Sequence, residues 1–318
     1  MDNSTLINFF SDGEWHSGVE LAELLGVSRA AIWKRLQKLE SVGLRIEREQ
    51  SKGYRLSYSF KPLNEALLKV EGLDIRLNAI TGSTNTDAQQ AVAEKATQWP
   101  DNFSVALAEQ QTAGRGRRGR NWISPYGANL YMSCAAALPV GAASLETLSL
   151  EVGISVAQVL ESKGVQDVKV KWPNDIYVGG KKLAGILIEV DGDLSSQCNV
   201  VIGTGINFTA ASLPEEDIGQ PFTAVDQHTD ARREEVATAL IGRIYERLNQ
   251  IVMGDFGSAL SEWDRYDFLT GKPVTVFLGA LEIEGQAEGL DERGNICVRL
   301  EDGSLRTFAG GEVSVRAQ

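Results

Sequence analysis

Seven consecutive residues, Gly114-Arg115-Gly116-Arg117-Arg118-Gly119-Arg120, followed by Asn121-Trp122, place four guanidinium groups and three glycines in one short stretch of an acidic chain. The planar fork of arginine matches carboxylates and phosphates with paired hydrogen bonds, so the stretch predicts an anion-binding loop. Two common nucleotide loops are excluded. The run fits G-x-G-x-x-G, but that fingerprint needs a helix opening directly behind it, and Ser124-Pro125-Tyr126-Gly127 breaks a helix. After Gly114-x-x-x-x-Gly119 stands Arg120-Asn121, where a Walker A loop has Lys-Ser or Lys-Thr. A disordered Arg/Gly tract for nucleic acid would be longer, and apolar sequence flanks this one on both sides.

Other segments set polar residues where a strand meets a loop. They are Ser83-Thr84-Asn85, Gln111, Lys171-Trp172-Pro173-Asn174-Asp175, Gly179-Gly180-Lys181-Lys182-Leu183-Ala184-Gly185-Ile186 and Gly203-Thr204-Gly205-Ile206-Asn207. Each has a plain structural reading. Ser-Thr-Asn caps helices, Lys-Trp-Pro-Asn-Asp is a strand and a turn, and Gly-Gly-Lys-Lys is a hairpin tip with exposed lysines. Together they supply hydroxyls, amides, cations and a carboxylate, a set suited to a small polar ligand and a nucleotide.

The chain that must position these groups has 318 residues, enough for two or three domains. No run of about 18 apolar residues is read from it, so no membrane span is expected. The first residues lack a signal-peptide pattern. Cys134, Cys198 and Cys297 are scattered and odd in number, which predicts no disulfide framework and favours a reducing cytoplasm. With His16 and His228 as the only histidines, a His triad or His/Cys zinc site is not expected, and any metal would be Mg²⁺ arriving with a phosphate ligand. The net charge is −12, yet residues 1–60 carry eight Lys/Arg against eight Asp/Glu. The acidic remainder should repel a phosphate backbone, so contact with DNA would fall to the neutral N-terminal part.

That part predicts helix, helix, helix, hairpin, the plan of a winged helix-turn-helix. Leu6 to Phe10 is a short helix, and Ser17-Gly18-Val19-Glu20 is a capping box. Ser28 caps the third helix, Ile32, Leu36 and Leu39 share its inner face, and Gly43 ends it. Arg29, Ala30, Trp33, Lys34, Gln37 and Lys38 then stand with Ser28 as candidate DNA contacts: Gln for an adenine edge, Lys for phosphate, Ala for close approach. The alternative is a solvated face or a winged helix used for protein contacts. Strands 44–48 and 53–57 follow, then a linker at Phe60-Lys61-Pro62-Leu63.

Beyond it, helices are predicted over 65–69, 86–95, 145–163 (amphipathic), 234–252 and 256–267. Strands are predicted over 77–80, 168–172, 183–190 and 200–208, and a small all-β barrel over 272–316. The predicted class is a multidomain α+β protein: winged helix-turn-helix at 1–62, mixed-sheet α/β domain at 63–268, and β-barrel at 269–318.

In this order the motifs resemble those of the bifunctional biotin–protein ligase and biotin operon repressor of bacteria. The winged helix, Gly-Ser-Thr-Asn, Gly-Arg-Gly-Arg-Arg-Gly-Arg-x-Trp, Lys-Trp-Pro-Asn-Asp, Lys-Leu-Ala-Gly-Ile-Leu and the closing Gly311-Glu312-Val313-Ser314-Val315-Arg316 cover nearly the whole chain. The resemblance implies a class II synthetase-like ligase domain and an SH3-like C-terminal barrel. It also implies a two-step reaction with biotin, ATP and Mg²⁺. The biotin carboxylate attacks the α-phosphate of ATP, and a lysine of the biotin carboxyl carrier domain of acetyl-CoA carboxylase then takes the biotinyl group.

By the same resemblance Lys182, Arg117 and Asp175 are catalytic. Ser83, Thr84, Asn85, Gln111, Gly114, Arg115, Gly116, Arg117, Lys182 and Gly185 would bind biotin. Arg117, Arg118, Arg120, Trp122, Asn174, Lys182, Asn207 and Phe222 would hold the nucleotide, with Trp122 near the adenine. Asn174 and Asp175 would hold phosphate, Mg²⁺ or the incoming amine. Residues 211–222 would fold over the adenylate, with Leu213 and Phe222 excluding water. The adenylate would act as corepressor, promoting a homodimer that binds operator DNA.

Three features depart from the family pattern: Gly82 where an acidic residue is frequent, Trp33 at a position often polar, and the acidic stretch 214–220. A ligand-sensing repressor without ligase activity would keep the pocket and lose its phosphate-handling cations. A lipoate-type ligase would lack the long Arg/Gly loop.

Overall fold

The computed structural model describes every residue except 1–3, 42, 69, 96, 214–218, 312 and 318. Of the residues singled out in the sequence, Lys69, Pro214, Glu215, Glu216, Asp217 and Glu312 lie outside the described residues.

Helices α1 (Ser4–Phe10), α2 (Gly18–Leu25) and α3 (Arg29–Ser41) precede the hairpin β1 (Ile46–Glu49) and β2 (Gly53–Leu56). The capping box forms in both directions between Ser17 and Glu20, and the Ser28 hydroxyl accepts the Ala31 amide at 3.3 Å. Gly26 and Gly43 end α2 and α3 with φ of 59° and 93°, a conformation that costs glycine no Cβ clash. Ile32, Leu36 and Leu39 bury against Leu6, Phe10 and Leu21, as their spacing predicts.

A seven-stranded mixed sheet fills the centre in the order β3-β4-β5-β9-β8-β7-β6, formed by β3 (Ile75–Asn78), β4 (Ser104–Ala108), β5 (Asn129–Leu138), β6 (Val168–Lys171), β7 (Asp175–Val178), β8 (Lys181–Gly192) and β9 (Cys198–Asn207). Among the strand pairs described in this sheet, β3–β4 is the parallel one and the others are antiparallel. Helix α4 (Thr84–Lys95) covers one face through Ala88 and Ala91, while α5 (Leu148–Ser162) and α6 (Arg233–Val252) pack on the other. With both faces covered, the β4 run Ser-Val-Ala-Leu-Ala is buried throughout.

Several local expectations need correction. The helix at 145–163 is not amphipathic: α5 begins at Leu148 and buries Leu150, Glu151, Val152 and most of its remaining circumference, because α6 and the sheet enclose it. The stretch Ala142–Ser162 is long and apolar enough to cross a membrane, and 67% of its apolar window is buried in this core. No continuous helix spans 256–267. A 3-10 turn (Ser258–Glu262) leads into α7 (Trp263–Tyr266), because Gly257 at φ 76° breaks the entry. Among the described residues of the helix predicted at 65–69, a 3-10 turn forms at Glu65–Leu67. The first central strand lies at Ile75–Asn78 rather than 77–80.

The segment Phe60-Lys61-Pro62-Leu63 joins the N-terminal unit to the sheet as a packed strap, not an open linker. Phe60 and Leu63 are buried, and the Tyr58 hydroxyl donates to the Tyr126 carbonyl at 2.6 Å. Glu109 accepts the Leu63 amide at 2.5 Å, and Arg233 donates to the Lys61 carbonyl at 2.6 Å.

The C-terminal part is an antiparallel five-stranded sheet in the order β13-β12-β11-β10-β14, from β10 (Pro273–Leu278), β11 (Leu281–Leu290), β12 (Ile296–Arg299), β13 (Leu305–Phe308) and β14 (Ser314–Ala317). Trp172 ties it to the central sheet by donating Nε1–H to the Gly294 carbonyl at 3.0 Å.

Candidate functional site

Side chains alternate across a strand, so the pairing register decides which residues share a face. Opposite one another stand Gly185 and Gly205, Leu187 and Gly203, Glu189 and Val201, and next to them Ser133 and Gly203. All point to the α4 side. The glycines make a floor on which other groups lie flat. A Cβ on Gly205 would stand 2.5 Å from the Trp122 ring, one on Gly185 2.9 Å from it, and one on Gly203 2.2 Å from Asn85 Oδ1. The glycines of Gly-Thr-Gly and Leu-Ala-Gly are therefore required by close approach.

Above this floor is a cavity of about 930 Å³. It gathers Ser83, Thr84, Asn85, Gln111, Arg115, Gly116, Arg117, Arg118, Arg120, Trp122, Asn174, Asp175, Lys182, Gly185, Asn207 and Phe222. Of the candidate ligand-site residues, only Gly114 is not part of its wall. Gly114 lies behind it, where its carbonyl accepts the Trp122 amide at 2.9 Å and closes the stem of the loop.

At one end, Ser83, Thr84 and Asn85 open α4 and are buried. The Gln111 carboxamide oxygen accepts both the Thr84 amide at 3.0 Å and its hydroxyl at 3.1 Å. It thereby replaces a capping side chain at the start of α4. Asn85 is held by Ser133 at 2.6 Å and by Glu189 at 2.7 Å.

At the other end, Gly179 and Gly180 turn the β7–β8 hairpin with φ of 55° and 76°, and Lys181 is exposed. Lys182 is not exposed as a hairpin lysine would be: it folds back onto Asp175 at 2.7 Å, with side-chain exposures of 13% and 22%. Its Nζ also lies 5.5 Å from the centre of the Trp122 ring. Arg117 comes from a 3-10 turn (Arg117–Gly119) at the loop tip, where Arg118 has φ 58°. It donates to Asn174 Oδ1 at 3.0 Å and to the Gly310 carbonyl of the C-terminal part. Burial pushes the Arg117 guanidinium below its ordinary value, Asp175 opposes this, and Arg118 and Arg120 add repulsion.

Sequence reasoning missed Lys171 as an individual residue. It lies beside Asp175 in the cavity wall, with its Nζ 5.2 Å from the Tyr177 ring centre. Burial lowers its pKa, against the pull of Asp175 and with repulsion from Lys182, Arg316 and Arg120. Ser133, Glu189, Phe277 and Arg316 were missed as well. Phe277 and Arg316 belong to the C-terminal sheet and close the cavity from that side.

Leu213 and Phe222 both reach the cavity. Phe222 is held there by the parallel bridge to Lys182, whose amide donates to the Pro221 carbonyl at 3.1 Å. Asn207 spends its amide on the Thr223 carbonyl at 3.2 Å, holding the same segment. The Trp122 Nε1 is buried and has no hydrogen-bond partner among the described residues.

The seven candidate DNA contacts, Ser28, Arg29, Ala30, Trp33, Lys34, Gln37 and Lys38, are all exposed on α3 and its entry. Trp33 is 49% exposed, opposite the buried Ile32–Leu36–Leu39 stripe.

With this geometry established, comparisons with known proteins agree from end to end. An HTH domain model matches residues 4–55, the Biotin/lipoate A/B protein ligase family matches 78–207, and the Biotin protein ligase C terminal domain matches 269–316. The bifunctional ligase/repressor BirA of Escherichia coli (strain K12) is 36% identical over 98% of this chain and 96% of its own length. That of Bacillus subtilis (strain 168) is 28% identical over 96% of both chains. The structure of the biotin protein ligase from Aquifex aeolicus in complex with biotin and ATP matches with TM-score 0.64 and 28% identity, covering 77% of this chain and 99% of that one. The chain belongs to the biotin protein ligase family, and within it to the bifunctional ligase/repressors that carry a helix-turn-helix ahead of the ligase domain.

Proposed function

We propose that this protein is an ATP-dependent biotin protein ligase that forms biotinyl-5′-AMP, transfers biotin to a carrier lysine, and represses the biotin operon with the adenylate as corepressor. The observation that carries this reading is one cavity above a glycine floor in which Lys182 pairs with Asp175 and Arg117 is held on the neighbouring Asn174. A carboxylate is a poor electrophile, and activating it requires two anions to be held in contact. Two cations on rigid supports offset their repulsion, and proximity does the rest.

In the first step a carboxylate oxygen of biotin bonds to the α-phosphorus of ATP, and the bond to pyrophosphate breaks. Arg117 and Lys182 follow the charge as it moves onto the phosphoryl oxygens. The hydroxyls and amides of Ser83, Thr84, Asn85 and Gln111 take the polar end of biotin, and Arg115 and Gly116 close over it on a stem that Gly114 fastens from behind the cavity wall. Arg118, Arg120, Asn174 and Asn207 serve the nucleotide side. Trp122 lies on the glycine floor, where its unpartnered Nε1–H is a donor for a ligand acceptor. In the second step the carrier lysine's nitrogen attacks the activated carbonyl and loses a proton as AMP leaves. Leu213 and Phe222 keep water from taking the nitrogen's place.

Among the described residues no cluster of three or more His, Cys, Asp or Glu could hold a metal. A Mg²⁺ carried by phosphates and one carboxylate fits this site better than a protein cage. Asp175 would be that carboxylate, and the ion would neutralise phosphate charge.

The C-terminal sheet is taken as an SH3-like barrel and the ligase domain as class II synthetase-like, with divisions near residues 62 and 268. The acceptor is the biotin carboxyl carrier domain of acetyl-CoA carboxylase. Adenylate-bound protein forms a homodimer that presents two α3 helices to operator DNA.

The test is ligand-dependent pyrophosphate release from ATP and Mg²⁺, with biotin in one arm and lipoate in the other. Release with biotin is expected, and release with lipoate alone would move the protein to the other branch of its family. Retardation of operator DNA should require biotin plus ATP; retardation indifferent to them would remove the switch.

A further inference from the structure

We infer that Glu189 is a positioning residue that latches the Arg/Gly loop to the biotin end of the cavity; the inference rests on the ligase reading given above. Glu189 stands on β8 opposite Val201, on the same face as the glycine floor. Its Oε2 accepts Asn85 Nδ2 at 2.7 Å and Arg115 Nη2 at 2.9 Å, and its Oε1 accepts the same Arg115 nitrogen at 3.2 Å. Arg115 Nη1 donates to the Thr86 hydroxyl at 3.3 Å, a residue in the first turn of α4.

One carboxylate thus joins three elements: the loop, the start of α4 and β8. Two consequences follow. The Asn85 amide can point only one way, with oxygen toward the Ser133 hydroxyl at 2.6 Å and nitrogen toward Glu189. The loop is fixed at its stem, where Arg115 bridges Asn121 and the Gly116 amide donates to the Arg120 carbonyl at 2.7 Å. The tip that carries Arg117 projects from this stem, so placing Arg115 places Arg117.

The Arg115 and Glu189 side chains are 45% and 43% exposed, and a pair so open to water adds little to global stability. The contribution is to the geometry of the loop. Asn85 is itself 5% exposed, so the latch reaches into the buried wall of the pocket.

The experiment compares wild type, Glu189→Ala, Glu189→Gln, Arg115→Glu and the charge swap Arg115→Glu/Glu189→Arg. The first readout is trypsin cleavage within 115–120 of the ligand-free protein, located by mass spectrometry. The second is the KM for biotin and for ATP in adenylation. Loss of the charge-assisted contacts is expected to speed cleavage about tenfold in Glu189→Ala and to raise the biotin KM by a similar factor, with the ATP KM unchanged. Glu189→Gln keeps the shape but loses the charge, and should fall between. The swap should restore protection relative to Arg115→Glu alone. Wild-type cleavage rate and wild-type biotin KM in Glu189→Ala, with an unchanged melting temperature, would overturn the latch. Cleavage is read without ligand, so the latch is decided even if wild type releases no pyrophosphate with biotin, a result that would sink the ligase reading instead.

Discussion

Lys182 Nζ lies 2.7 Å from the Asp175 carboxylate, although in the β7–β8 pairing Lys182 stands opposite Tyr177 and Asp175 opposite Gly185, so the lysine reaches along the strands to meet it. The ion pair holds Lys182 in place before any phosphate arrives. Removing the cation while the sheet stays intact should cost transition-state stabilisation and little else. Lys182→Ala is expected to slow adenylation at least about 100-fold, the scale seen when one preorganised donor is lost. Circular dichroism should stay at wild type, and a wild-type rate would show that the phosphoryl charge is handled elsewhere.

Lys171 gives the site a pH signature. Burial holds its pKa below 10.5 in the free protein, and an anionic ligand beside it must raise that pKa again. Between the two values the complex binds more protons than its free components. Nucleotide binding should therefore take up protons in alkaline buffer and weaken as pH rises through that window. Titration calorimetry in buffers of different ionisation enthalpy reads this uptake, and Lys171→Met should abolish it. Uptake unchanged in that variant would place the titrating group elsewhere.

Arg233 and Glu109 pair at 2.7 Å with side-chain exposures of 6% and 7%. Between them they hold Lys61, Leu63 and the Asn129 carbonyl. Breaking a buried pair leaves an uncompensated charge, so Arg233→Ala is expected to cost about 3–5 kcal/mol in denaturant unfolding. An unchanged midpoint would mean that the strap is held by Phe60 and Tyr58 alone.

On α3, Trp33 and Lys34 should separate by their salt dependence. Lys34→Ala is expected to weaken operator binding and lower the salt slope by about one unit, as for one lost phosphate contact. Trp33→Ala should weaken binding without changing the slope, because an indole contacts bases or sugar. Equal slopes in both variants would contradict the assignment of Lys34 to a phosphate.

The legibility of these parts follows sequence distance. The Ser17–Glu20 capping box and the Ile32–Leu36–Leu39 stripe are local patterns, and the structure reproduces them. The glycine floor was visible as motifs, though its purpose needed the register that turns Gly185, Gly203 and Gly205 toward one ring and one amide. Glu189 was not legible: on a strand end it reads as a solvated residue, and its partner Arg115 is 74 positions away. Arg233 reads as an ordinary residue at a helix start, yet its carboxylate partner is 124 positions away. The α5 pattern misled because a helix enclosed by a sheet and a second helix buries the residues that would otherwise mark a polar face.

The most direct test is to follow the adenylate itself. Purified protein is incubated with biotin, ATP and Mg²⁺, and the bound small molecules are identified by mass spectrometry before and after a biotin carrier domain is added. Biotinyl-5′-AMP should accumulate on the protein, then vanish as the carrier gains one biotinyl group on a lysine and AMP is released. A protein that holds unchanged biotin and ATP, with no adenylate and no modified carrier, would contradict the assignment of Arg117, Lys182 and Asp175 to ligation.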